Sequence, residues 1–182
     1  MKKAYIFFAE GFEEIEALTP VDVLKRAGLD VTLVSVSGNK IVKSTRGVGI
    51  VTDRLFEELD YTDADLLLLP GGQPGADNLD RHEGLKKVIL AADQKKKPIA
   101  AICAAPQVLG HLGLLQGKRA TCYPGMEREL TGALCKGTPC ETDGNIITGK
   151  GVGAAMKFSL AIVEMLVSKE KAEELKKKMV VE

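Results

Sequence analysis

Cys103 stands where a buried strand is predicted to turn into a helix. The apolar residues Ile99–Ile102 precede it, and Ala104-Ala105-Pro106 follow, with the proline suited to the first turn of a helix. A thiol in such a turn lies at a helix N-terminus, where unpaired backbone N–H groups and the helix dipole stabilise an anion. We therefore predict a reactive Cys103 whose thiolate is favoured over that of an ordinary exposed thiol. The alternative is a small buried side chain that ends the strand without chemistry.

A second feature, Pro70-Gly71-Gly72, follows a leucine-rich segment at residues 65–69 that is predicted to be a central strand. In doubly wound sheets the ligand crevice lies beyond the carboxyl ends of the strands, so Gly71 and Gly72 are expected beside Cys103. These glycines can aim a backbone N–H into the crevice, and with the N–H of Ala104 they predict an oxyanion site next to the sulfur. Taken alone, a Pro-Gly-Gly run indicates only a turn.

The segment after the first predicted strand is acidic, with Glu10, Glu13, Glu14 and Glu16. These carboxylates would repel a phosphate group, so the turn does not suit nucleotide binding. Glu13 and Glu14 are explained by the dipole of the helix that they begin. Glu16 could direct its carboxyl group toward the strand ends, where a nearby thiolate would raise its pKa and let it donate a hydrogen bond to sulfur. The alternative for Glu16 is a solvated surface position.

Apolar runs of strand length alternate with helical patterns, which predicts an α/β fold whose mostly parallel sheet is covered on both faces. Strands are predicted at residues 4–9, 31–36, 65–69, 99–102 and 145–148, with a hairpin or two short edge strands at 41–42 and 48–51. Helices are predicted from residue 15 to Gly28, from a start signal at Asp80 and Glu83 through residue 92, and at 154–167 and 169–179. Residues 108–141 are expected to form short elements.

The composition narrows the classes of function. A chain of 182 residues that is 45% hydrophobic and 27% charged suits one globular domain spanning residues 1–182. Its 25 basic and 25 acidic residues cancel, which argues against nucleic acid as a partner, and its apolar runs are too short to cross a bilayer. A soluble, cytoplasmic protein without a membrane partner is the expectation.

The other residues that could bind a metal or a dinucleotide argue against a cofactor. Two histidines without paired spacing do not predict a catalytic metal. The G-x-G-x-x-A pattern at residues 149–154 follows a strand but lacks a following βαβ unit, so a tight turn is preferred over a dinucleotide site. The four cysteines contain no C-x-x-C pair and fit a reducing compartment. Cys135 and Cys140 flank a loop and are expected to be free thiols, and the state of Cys122 is left open.

Five segments carry a resemblance that covers essentially the whole chain. They are A-E-G-F-E-E-I-E at 9–16, P-V-D-V-L-K-R-A-G at 20–28, L-L-P-G-G at 68–72, A-A-I-C-A-A-P at 100–106 and I-T-G-K-G-V-G at 147–153. In these motifs the chain resembles the DJ-1 branch of the ThiJ/PfpI superfamily. The resemblance implies a flavodoxin-like three-layer αβα sandwich with a mostly parallel central sheet, similar to class I glutamine amidotransferases. It also implies a homodimer.

The same resemblance implies roles for individual residues. Cys103 would be the nucleophile at a strained elbow, and Glu16 would be its protonated partner. The backbone amides of Gly72 and Ala104 would form the oxyanion site, with Gly71 beside them in the pocket.

Two arginines and three departures from the family pattern bear on the rest of the pocket. Arg46, together with Arg26, would lie beside the pocket near the dimer boundary. Ala104 stands where protease-like relatives have a histidine, which argues against peptidase activity. Tyr123 replaces a histidine and would offer a hydroxyl donor instead of an imidazole base. Val152 replaces a proline in the Gly-x-Gly loop, which would change the shape of the pocket.

Two classes of function fit these residues. The first is a cofactor-independent glyoxalase or deglycase in which Cys103 adds to methylglyoxal, glyoxal or their early adducts while Glu16 moves protons. The second is an oxidative-stress sensor or redox-regulated chaperone in which Cys103 is oxidised to a sulfinic acid that Glu16 stabilises. An accessible, acidic thiol would serve either class, so the sequence leaves both open.

Overall fold

Seven strands form one central sheet in the computed structural model, which describes residues 1–182. In chain order the strands of this sheet are β1 (Lys3–Phe8), β2 (Asp30–Ser35), β5 (Arg54–Leu55), β6 (Leu66–Leu69), β7 (Ile99–Ile102), β10 (Cys140–Asp143) and β11 (Ile146–Gly149). Their spatial order is β10-β11-β7-β6-β1-β2-β5, and every neighbouring pair is parallel except β10 and β11. The carboxyl ends of the central strands β1, β6 and β7 therefore meet at one edge.

Two small strand pairs and six helices complete the fold. The pairs are β3 (Ile41–Lys43) with β4 (Gly49–Val51), antiparallel, and β8 (Arg119–Ala120) with β9 (Leu134–Cys135), parallel. The helices are α1 (Glu14–Arg26), α2 (Gly75–Arg81), α3 (Glu83–Gln94), α4 (Pro106–His111), α5 (Ala155–Leu166) and α6 (Lys169–Lys178). This arrangement is a flavodoxin-like α/β sandwich, as the family resemblance implies.

Side chains that alternate between the two faces of the sheet form two separate hydrophobic cores. Tyr5 and Phe7 of β1 belong to one buried cluster, which α2, α3 and α4 cover, whereas Ile6 and Phe8 belong to the other, which α1, α5 and α6 cover. Successive strand residues point to opposite faces, so a strand in the middle of a three-layer sandwich must be apolar throughout. The four consecutive leucines of β6, all buried, show this requirement.

The predicted elements are confirmed with shifts of one or two residues, apart from the start of α3. Asp80 lies in α2, so the Asp80–Glu83 start signal is wrong. The cap of α3 is His82, whose Nδ1 accepts a hydrogen bond from the Leu85 N–H at 3.0 Å. The sequence signal failed because a histidine ring can accept the hydrogen bond for which aspartate is the commoner choice.

No helix in the structure has the length and apolar character needed to cross a membrane.

Candidate active site

Cys103 occupies a sharp turn between β7 and α4. Its φ is +65°, which is uncommon for a residue with a side chain and costs about 1–3 kcal/mol. Two backbone hydrogen bonds hold it there: its N–H donates to the Gly149 carbonyl at 2.9 Å, and its carbonyl accepts from the Tyr123 N–H at 2.8 Å. Pro106 begins α4 as predicted. The turn therefore presents the thiol from the carboxyl edge of the sheet in a fixed direction.

Glu16 reaches the same edge from the first turn of α1 and is fully buried, with 0% of its surface exposed. Glu13 caps this helix, because its carboxylate accepts the Glu16 N–H at 2.8 Å. The alternative of a solvated Glu16 is therefore wrong. Neither carboxyl oxygen of Glu16 has a hydrogen-bond partner of ordinary geometry. The Cys103 thiol and the Gly71 N–H are nonetheless close enough to lower its pKa in part.

Gly71 and Gly72 allow the two groups to approach each other. A methyl group at Gly71 would lie 2.6 Å from Cys103 Cβ, 2.8 Å from the Ile102 carbonyl oxygen and closer still to the Glu16 carboxyl group. Gly72 has a φ of +91°, and a methyl group there would lie 2.5 Å from the Glu13 nitrogen. No residue with a side chain fits either position without movement of the backbone. The Pro-Gly-Gly run is thus more than a turn.

Burial controls the ionisation of Glu16. It raises the pKa of this carboxyl group to about 7, and the negative charge of Glu13 acts in the same direction. Glu16 therefore keeps its proton over a large part of the neutral range.

Burial also controls Cys103. It raises the pKa of the thiol to about 12, with a further contribution from the Glu16 carboxylate, while the N–H groups of Gly72 and Ala104 lower it. The prediction that the thiolate is favoured over an ordinary one is wrong for this geometry. The thiol is half-buried beside a carboxyl group, and α4 has only six residues to supply a dipole.

The two groups must share a single negative charge. When Glu16 carries its proton, the charge that opposes ionisation of Cys103 disappears and a hydrogen-bond donor takes its place. The Cys103 thiol therefore ionises most readily while Glu16 is protonated. The nucleophile and the proton donor act as one unit.

A cavity of about 790 Å³ opens above this pair. Of the residues singled out from the sequence, those that line it are Cys103, Glu16, Gly72, Arg46, Tyr123 and Val152. Gly71 and Ala104 lie directly behind it, in contact with the Cys103–Glu16 pair. Tyr123 is 54% exposed and Val152 is 42% exposed, so both belong to the rim.

Arg26 is not part of the cavity, so its prediction as a pocket residue is wrong. It lies ten residues beyond Glu16, about 15 Å along the helix axis, and its Nε is 2.7 Å from Asp22 Oδ2. Arg46 is part of the cavity, and its Nη1 lies 3.7 Å from carboxylate oxygens of both Glu13 and Glu14.

Lys150 and Thr45 also line the cavity, although the sequence interpretation did not select them. Lys150 sits between two glycines of the G-K-G-V-G segment, and that pattern was the available signal. Thr45 precedes Arg46 in the loop before β4 and had no signal of its own.

None of the other cysteines and histidines lines the cavity. Cys122, Cys135 and Cys140 are free thiols, as predicted for the last two. Cys135 and Cys140 pack against opposite cores. His111 bridges Asp80 and Glu129 at 2.9 Å each, at the end of α4. No three or more of the His, Cys, Asp and Glu residues are grouped as metal ligands would be.

Similarity in sequence and structure to known proteins identifies the family. Residues 2–165 match the model of the DJ-1/PfpI family. Protein DJ-1 homolog B of Arabidopsis thaliana is 42% identical over 96% of the chain, but the chain spans only 40% of that longer relative. The Parkinson disease protein 7 homolog of Danio rerio is 37% identical, with 96% of this chain and 95% of the relative covered. Oxidised DJ-1 of Toxoplasma gondii superposes with a TM-score of 0.95 at 32% identity, covering 99% and 98% of the two chains. The chain therefore belongs to the DJ-1/PfpI family.

Proposed function

We propose that this protein is a cofactor-independent glyoxalase or deglycase that acts on methylglyoxal, glyoxal or their early adducts through Cys103. The observation that carries the proposal is the pairing of this thiol with a fully buried carboxyl group whose pKa is raised to about 7. A group with a pKa near the working pH can both give and take a proton, which isomerisation of an oxoaldehyde requires.

The first step joins the thiolate of Cys103 to the aldehyde carbon of methylglyoxal. The new C–S bond displaces the carbonyl π electrons onto oxygen, and the N–H groups of Gly72 and Ala104 stabilise the developing negative charge. Protonated Glu16 then supplies its proton to this oxygen. The product of the step is a hemithioacetal next to an ionised Glu16.

The second step moves hydrogen between the two carbons. Glu16 removes the proton from the hemithioacetal carbon to form an enediolate, a proton passes from the first oxygen to the second, and Glu16 returns its proton to the former ketone carbon, which gives a lactoyl thioester. Water then cleaves the C–S bond and releases lactate and the free thiol. One carbon is oxidised and its neighbour is reduced, so methylglyoxal and water give lactate without an external oxidant.

The test is the rate of lactate formation from methylglyoxal by the wild type, Cys103→Ser and Glu16→Gln, with product identification. Both variants should lose turnover, whereas Cys135→Ser, which alters a free thiol outside the cavity, should retain it. Lactate formation by Cys103→Ser at the wild-type rate would remove this residue from the mechanism.

A second candidate function is sensing of peroxide by the same thiol. The two unpartnered oxygens of Glu16 favour it, because a protonated carboxyl group there could donate to an oxygen on an oxidised sulfur. One peroxide would convert the thiolate to sulfenate with release of water, and a second would give sulfinate. Addition of two oxygens to Cys103 at low peroxide, measured by intact mass in a protein that makes no lactate, would favour this function.

We also propose that the protein works as a homodimer in a reducing, cytoplasmic setting. Support comes from apolar side chains left exposed on α1 and around the β3–β4 pair: Ile15, Ile41, Val48 and Val51. Association of two copies would remove such surface from water. Light scattering after gel filtration should give twice the monomer mass of 19.5 kDa, and a monomer would contradict the proposal.

A further inference from the structure

One of the two basic side chains that line the cavity, Lys150, lacks an acidic partner. Arg46, the other basic side chain, has its Nη1 3.7 Å from carboxylate oxygens of both Glu13 and Glu14. Glu16 is neutral while it holds its proton, because burial raises its pKa to about 7. Lys150 has no carboxylate oxygen within 4.0 Å of its ammonium group. Of the two basic side chains that line the cavity, Lys150 is therefore the one without a carboxylate partner.

The ammonium group of Lys150 also has unused hydrogen-bond donors. Its Nζ donates to the Gly137 carbonyl at 2.9 Å, and this is its one polar contact in the protein. A lysine ammonium carries three donors, so two remain free. The residue is well positioned, because its own N–H donates to the Pro139 carbonyl at 3.0 Å.

The backbone of Lys150 lies directly beside the reacting pair. Gly149, the residue before it, pairs with Ile102 in the sheet and accepts the Cys103 N–H. Gly151, the residue after it, is so close that a methyl group there would lie 3.9 Å from Glu16 Oε1. Lys150 and Cys103 line the same cavity, so the lysine side chain borders the space that a substrate bound to Cys103 would occupy.

We propose that Lys150 binds a carboxylate on the substrate, so that the cavity favours 2-oxoaldehydes with a carboxylate a few atoms beyond the ketone. This inference rests on the proposed function and names its substrate class. A single free ammonium matches a single negative charge, whereas the nearby carboxylates of Glu13 and Glu14 disfavour a dianion. The volume of about 790 Å³ is also in the range that holds molecules much larger than methylglyoxal.

The test compares 4,5-dioxopentanoate with its methyl ester, which has the same reacting carbons and no charge. The chemistry is that of methylglyoxal, and the acid would yield 2-hydroxyglutarate with consumption of one water. The wild type should prefer the acid in kcat/KM by about tenfold, as expected for one charge-assisted hydrogen bond. Lys150→Gln should lose this preference. Lys136→Gln, which alters an exposed lysine outside the cavity, should keep it.

A second readout separates this inference from the proposed enzyme activity. Iodoacetate and iodoacetamide alkylate Cys103 by the same chemistry but differ in charge, so the ratio of their rates reports attraction of an anion without turnover. Lys150→Gln should lower the iodoacetate to iodoacetamide ratio several-fold, and Lys136→Gln should not.

The outcomes are distinct. If no oxoaldehyde is turned over but the alkylation ratio falls in Lys150→Gln, the anion site stands and the glyoxalase function fails. If methylglyoxal is turned over but acid and ester react equally in the wild type, the inference fails and the enzyme function stands. Equal slowing of acid and ester by Lys150→Gln would also overturn the inference, because the lysine would then act on the reacting centre.

Discussion

Replacement of Gly71 by alanine tests whether the contact between Cys103 and Glu16 depends on a missing side chain. The added methyl group would lie 2.6 Å from Cys103 Cβ and 2.8 Å from the Ile102 carbonyl oxygen, and it would overlap the Glu16 carboxyl group. Backbone and Cβ atoms cannot rotate away, so the strand end or α1 must shift. Overpacking of this kind lowers the free energy of unfolding by about 2 kcal/mol.

Two assays follow from this geometry. In urea denaturation, Gly71→Ala should have a lower midpoint than the wild type at an unchanged slope. Its turnover of methylglyoxal should also fall, because displacement of Glu16 separates the proton donor from the sulfur.

Gly49→Ala is the matched control. A methyl group at Gly49 makes only an ordinary contact of 3.7 Å with Ile41, so this variant should keep both stability and turnover. Equal stability and turnover in the two alanine variants would refute the claim that Gly71 holds the pair together.

The remaining predictions concern ionisable groups. Glu16→Gln removes the carboxylate that contributes to the raised pKa of Cys103, so the pH midpoint of alkylation by iodoacetamide should fall below about 12. Turnover should fall by roughly 10²–10⁴. An unchanged midpoint would contradict the electrostatic coupling between Glu16 and Cys103. In the wild type, the reacting form has one negative charge on the Cys103–Glu16 pair, so kcat/KM for methylglyoxal should rise with pH to about 7 and stay level to pH 9; a profile that keeps rising to pH 9 would oppose the role of Glu16 as the acid. Hydrogen bonds to Glu129 and Asp80 raise the pKa of His111. The interaction of protonated His111 with these carboxylates therefore stabilises the fold fully below pH about 6.5, and this stabilisation is lost as the pH rises through the raised pKa of His111. His111→Gln should therefore cost about 1 kcal/mol or less at pH 6 and less still at pH 9, and an equal cost at both would contradict the assignment.

Local patterns made the fold and the centre of the site predictable. The four leucines of β6 could only suit a strand buried on both faces, and the Cys103 turn followed from small residues before Pro106. Because parallel strands bring their carboxyl ends to one edge, the sequence predicts that Gly71 and Gly72 lie beside Cys103.

Features that depend on three-dimensional surroundings were not predictable in the same way. The raised pKa of Cys103 follows from burial and from its distance to Glu16, neither of which is written in the local sequence. The sequence places Arg26 in the helix that carries Glu16, but its ion pair with Asp22 at the far end of α1 is seen only in the structure. The significance of Lys150 depends on its surroundings, which include no carboxylate oxygen within 4.0 Å of its ammonium group.

Lactate formation from methylglyoxal by the wild type and by Cys103→Ser is the most direct test of the central claim. The account predicts lactate from the wild type, none from Cys103→Ser, and strongly reduced formation by Glu16→Gln. Methylglyoxal left unchanged by the wild type, or converted equally well by Cys103→Ser, would contradict it.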